Sequence, residues 1–153
     1  MIKIDAKQFF MQYPHYSNFD ELKKADILIM PSRNNAFLGS QLIFQNVSND
    51  YGVNCLFYSE DQNSLPCILQ ESFVPIDIIH ELGFVISTVA SLHYIYTILK
   101  DKMQNKRFKI ENVISMNNDD YLMMDKFEGN IDEYKAAIQE INSQIEMLLS
   151  KRN

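Results

Sequence analysis

Between Leu82 and Leu99 the chain reads LGFVISTVASLHYIYTIL, eighteen residues without a formally charged side chain. That length is at the lower limit of a membrane-spanning helix. Lys100, Lys102, Lys106, Arg107 and Lys109 follow it in the manner of a basic cytoplasmic flank. Ser87, Thr88, Ser91, His93 and Thr97 lower its hydrophobicity below that of a lipid-facing span. Insertion would also carry residues 1–75 across the membrane, and these show no export signal. The segment is therefore read as the middle of one long helix, Ile76 to Gln104, buried by the rest of the domain, with its basic end complementing the helix dipole. Gly83 interrupts it at a cost of about 1 kcal/mol relative to alanine, which does not end a helix. Membrane contact through helix 76–104 is the alternative reading.

Upstream, Ile27-Leu28-Ile29-Met30 is a short continuous apolar run closed by Pro31, the pattern of a strand covered on both faces. Residues 36–50 read as a packed helix ending before Gly52, and Val53–Tyr58 as a second strand. Strand, helix and strand make a βαβ unit with parallel strands. Two short helices, 5–13 and 18–25, precede it on either side of Pro14, the second capped by Ser17 or Asn18. A third short strand fits Ile68–Glu71. Downstream, Phe108–Met116 and Tyr121–Phe127 form a β-hairpin across Asn117-Asn118-Asp119-Asp120. A final amphipathic helix runs from Ile131 to about Leu149, with Asn130 as N-cap and Glu133 three residues on, as in a capping box. The expected fold class is α+β, or a small α/β, as one domain over residues 1–153.

The chain is 46% hydrophobic and 12% aromatic, enough apolar surface to offset the entropy of ordering and to exclude a disordered chain. Its formal net charge of -6 argues against a dedicated nucleic-acid surface, which needs clustered Lys and Arg. The basic run Lys100–Lys109 is read instead as a helix end and the solvated start of a strand. Cys55 and Cys67 sit in apolar surroundings, as buried thiols of a cytoplasmic protein do.

Loops that follow the ends of parallel strands line the crevice where α/β folds bind ligands. Here that loop is Pro31-Ser32-Arg33-Asn34-Asn35, so Ser32, Arg33, Asn34 and Asn35 are the candidate ligand-binding residues. Arg33 has the fork geometry for a phosphate or carboxylate, and the following helix N-terminus adds backbone donors. No Gly-rich phosphate cradle accompanies them, and Ser and Asn before a helix also serve as caps. His80-Glu81 begins like a zinc motif, but Phe84 stands where the second histidine is needed. Asp77, His80 and Glu81 share one helical face, where acidic residues also suit the dipole. No metal site and no cofactor are expected.

In the last helix Ile131, Tyr134, Ile138, Ile141, Ile145 and Leu148 are spaced 3, 4, 3, 4 and 3 apart. That is a heptad seam which either packs on the hairpin or meets a second copy or another protein. The function expected is a small non-catalytic interaction or regulatory protein of the cytoplasm, an accessory subunit or a homodimer. Its competitor is a small anionic-ligand-binding protein or enzyme using the loop 31–35.

Overall fold

The computed structural model describes residues 1–13, 24–32, 36–58, 79–116 and 121–151, together with the backbone of 68–69. The N-terminal half supplies β1 (Ile2–Asp5), α1 (Ala6–Met11), β2 (Ile27–Ile29), β3 (Phe37–Leu38), α2 (Val47–Tyr51), β4 (Cys55–Phe57) and β5 (Ile68–Leu69). After these come β6 (His80–Thr88), α3 (Leu92–Lys102), β7 (Phe108–Ser115), β8 (Tyr121–Gly129) and α4 (Ile131–Ser150). Six strands form one mixed sheet in the order β1-β8-β7-β6-β2-β4, and β3 pairs with β5 apart from it. The fold is α+β.

The sheet follows from alternation. Along β7, Phe108, Ile110, Asn112 and Ile114 are buried toward α3 and α4, while Val113 is buried on the opposite face with Phe9 and Phe10 of α1. The hairpin closes in the expected antiparallel register, Phe108 opposite Gly129 and Ser115 opposite Leu122. β2 and β4 lie parallel, Ile27 opposite Cys55 and Ile29 opposite Phe57, as the βαβ reading requires. β6 and β7 are also parallel and are joined through α3, a second strand–helix–strand unit.

That second unit corrects the long helix from Ile76 to Gln104. Residues 80–88 are a strand, Val89–Ser91 form a 3-10 turn, and only Leu92–Lys102 are α-helical. A strand buried on both faces is as continuously apolar as a buried helix, so periodicity alone does not separate them. The polar cluster that lowers the hydrophobicity of the run is the junction itself: Thr88 Oγ1 donates to Ser91 Oγ at 2.9 Å where the backbone turns from strand to helix. Among the described residues no helix is long and apolar enough to cross a membrane.

Three smaller differences have local causes. Residues 36–50 are not one helix but β3, a 3-10 turn (Gly39–Phe44) and α2, broken where Asn46 adopts φ 62. Asparagine is one of the few residues that enters this left-handed region readily. The expected stop before Gly52 holds, with Gly52 at φ 69 as the C-cap. The first helix starts one residue late because Asp5 is its N-cap, accepting from Gln8 N at 3.0 Å, and Ile2–Asp5 before it pair with β8. The second short helix, the hairpin residues 117–120 and Cys67 lie outside the described residues.

α4 forms as expected. Asn130 Oδ1 accepts from Glu133 N at 2.9 Å, and Glu133 Oε1 accepts from Asn130 N at 3.2 Å. Tyr134, Ile138, Ile141 and Ile145 are buried in the main core, with Ile131 and Leu148 partly buried at its ends.

Candidate functional site

The end of β2 is held by one buried side chain. Gln41 accepts from Ser32 Oγ at 2.9 Å and Leu38 N at 2.8 Å, and donates to Met30 O at 2.9 Å and Leu82 O at 3.2 Å. Its amide thus uses two acceptor and two donor positions, its full capacity. Ser40 Oγ donates to Glu81 O next to it. Gly83 makes this clasp possible. It takes φ 65, and a Cβ there would stand 2.8 Å from Ser32 Oγ and 3.1 Å from Gln41 Nε2.

Gly83 also shifts the register. Glu81 lies opposite Lys109 and Phe84 opposite Glu111, so Leu82 and Gly83 together face Ile110 as a bulge. Glu81 and Phe84, three apart in sequence, consequently point to the same face as Lys109 and Glu111. β8 completes two cross-strand rows, Glu81–Lys109–Glu128 and Phe84–Glu111–Lys126. Opposite charges on directly paired residues are the favourable arrangement. Lys126 Nζ lies 3.8 Å from Glu111 Oε1, an ion pair too long to be a hydrogen bond.

The two rows floor a cleft of about 890 Å³ whose wall is Tyr13, with Pro31 and Ser32 at its edge. Its position follows from lengths. α1 has six residues and spans about 9 Å, whereas the nine residues of β8 extend about 30 Å. Among the described residues α1 therefore covers only part of this face. Tyr13 and Phe84 of the cleft belong to a chain of rings backed by the buried Phe9 and Tyr58: Tyr58 to Tyr13 at 5.9 Å, Tyr13 to Phe9 at 5.6 Å and Phe9 to Phe84 at 5.4 Å between centroids. Burial, then the carboxylate of Glu111 and the phenol of Tyr58, push the Tyr13 phenol well above its ordinary pKa. It stays neutral across the physiological range. Glu111 Oε2 is buried, and among the described residues no donor reaches it. A buried acceptor in that state marks a position where a donor is expected to arrive.

Of the four predicted ligand residues, Ser32 lies at the edge of this cleft with its hydroxyl committed to Gln41. Arg33, Asn34 and Asn35 lie outside the described residues, as does Asp77. Tyr134, Ile138, Ile141 and Ile145 of the predicted interface pack inside the chain, so the seam as a whole is not presented to a partner. Tyr134 donates to Asn112 Oδ1 at 2.7 Å and stacks edge-on against Phe108 and Phe127. Among the described residues no group of three His, Cys, Asp or Glu side chains is placed to hold a metal.

Sequence reasoning missed Tyr13, Lys109, Glu111 and Lys126. The signal was present in the hairpin: Lys109 and Glu111, like Lys126 and Glu128, are two apart and so share a face. A hairpin centred on 117–120 sets Glu111 opposite Lys126. Tyr13 carried no such signal, because its place depends on where α1 packs. Comparison of the chain with protein-family models, with curated proteins and with solved structures finds no match.

Proposed function

We propose that this chain is a small, non-catalytic binding module of the cytoplasm, and that its working site is the cleft over β6, β7 and β8. The buried Oε2 of Glu111, which no donor among the described residues reaches, carries the reading, since leaving such an atom without a donor costs about 1–3 kcal/mol in the free protein. A bound ligand that supplies the donor recovers it. The free thiol of Cys55, pushed up to about 12 by burial and so unreactive, suits a reducing compartment. Native mass spectrometry of protein purified without detergent tests the site. The parent is expected to carry a small-molecule adduct that Glu111→Gln lacks. The variant should lose no more than about 0.5 kcal/mol of stability, because the ion pair with the largely exposed Lys126 is worth little. An adduct retained equally by both proteins, or carried by neither, would overturn the reading.

A second reading, contact with another copy or another protein through α4, rests on Met147 and Leu149 in its last turns, which are 60% and 43% exposed. A mass of one chain in sizing experiments, unchanged in Met147→Glu, would remove the self-association form of it.

A further inference from the structure

We infer that the ligand of the cleft presents a primary alkylammonium group to Glu111, an inference that rests on the binding role proposed for this cleft. The charges of the floor decide the sign. Among the described residues that line it, three carboxylates, Glu81, Glu111 and Glu128, stand against two ammonium groups, Lys109 and Lys126. Each lysine already has a carboxylate directly opposite in the register, Lys109 one on either side and Lys126 the one at Glu111. The surplus is negative, and of the three buried polar atoms without a partner among the described residues (Ser87 Oγ, Asn112 Nδ2 and Glu111 Oε2) the one on a residue lining the cleft is an acceptor. Among the described residues an anionic ligand would meet that surplus without a free cation to receive it.

The type of cation follows from the geometry of Glu111. Its Oε1 faces Lys126 at 3.8 Å, while Oε2 is the oxygen that no donor among the described residues reaches. A guanidinium reaches its full strength by engaging both oxygens of a carboxylate, and here it would compete with Lys126 for Oε1. A quaternary ammonium has no N–H to donate. A primary ammonium is compact, carries three donors, and fits a single oxygen. Beside it the rings of Tyr13 and Phe84 offer an apolar and π-rich wall for a methylene chain and its charged end. The neutral phenol of Tyr13 adds a polar group without a competing charge.

The test uses the full chain, with amide chemical shifts and calorimetry, and four probes: 1,5-diaminopentane, pentan-1-ol, pentanoate and tetramethylammonium. Diaminopentane is expected to bind and to move the amides of Phe84, Glu111 and Lys126. Glu111→Gln should weaken it at least tenfold, and Lys126→Ala, which removes the competing internal cation, should tighten it. Binding of pentanoate with diaminopentane inert would overturn the ammonium inference and leave the cleft reading standing. Equal binding of tetramethylammonium, or tighter binding by Glu111→Gln, would overturn it as well. If all four probes leave the cleft amides unmoved, the inference falls. The binding role falls with it only if the purified parent also carries no adduct.

Discussion

Gln41 and Gly83 form a reciprocal pair: the amide fills the space that a side chain at position 83 would occupy, and the bulge brings Leu82 O within its reach. Gly83→Ala should therefore lose about 1–2 kcal/mol to left-handed backbone strain alone, and more through the clash with Ser32 and Gln41. Gln41→Leu leaves Met30 O, Leu82 O, Leu38 N and Ser32 Oγ without that partner, a loss of roughly 2–4 kcal/mol in denaturant unfolding. A change under about 0.5 kcal/mol in either variant would contradict the clasp. Asp125 offers a pH signature on the other face. Burial raises its carboxyl above the ordinary 3.8, and the N-terminal ammonium only partly lowers it. The folded protein therefore holds that proton more tightly than the unfolded chain, and stability falls as pH rises from about 3.8 through the folded value. Asp125→Asn should gain melting temperature relative to the parent at pH 7 but not at pH 3, and an equal offset at both values would exclude the effect.

Among the elements, α4 was legible almost entirely. Its N-cap, capping box and 3-4 spacing are local, and all three depend on neighbours within one or two turns. The seam's destination was not local. Ile141 is 2% exposed, so Ile141→Glu should abolish cooperative unfolding of the chain rather than split a dimer. Met147→Glu, on the exposed side, should leave the transition unchanged, and a matching loss in both variants would show the seam's burial to be misassigned. β6 shows the opposite case. Val85, Ile86 and Ser87 are buried because β2 lies on one side of the strand and β7 on the other, with α3 and α1 above and below. Nothing within LGFVIST distinguishes that environment from the inside of a helix bundle. The one local sign was Gly83, which costs little in a helix but commonly marks a bulge in a strand. At the cleft, the sequence-based choice of Ser32 reached its edge, whereas Glu111 and Lys126 required the register of the hairpin.

At the scale of the whole molecule, among the described residues, the sheet carries a larger core on one side than on the other. α3 and α4 cover one face with the larger core, and among the described residues the six of α1 cover part of the other, where the cleft lies. Opening should follow the same order. Amides of β6 and β7, paired on both sides, are expected to exchange slowest, and those of the edge strands β1 and β4 fastest. Edge amides as protected as those of β7 would argue that another chain covers an edge. Properties carried by short-range chemistry could be read directly from the residues: the hairpin, the terminal helix with its cap, the parallel βαβ strands and the α+β class. Capping, turn formation and alternation act over a few residues, and their physics is contained in the segment that shows them. The identity of β6, the inward destination of the α4 seam and the assembly of the cleft arise from pairings between residues tens of positions apart. Burial there is conferred by the neighbouring strands and helices, so only their packing could set it.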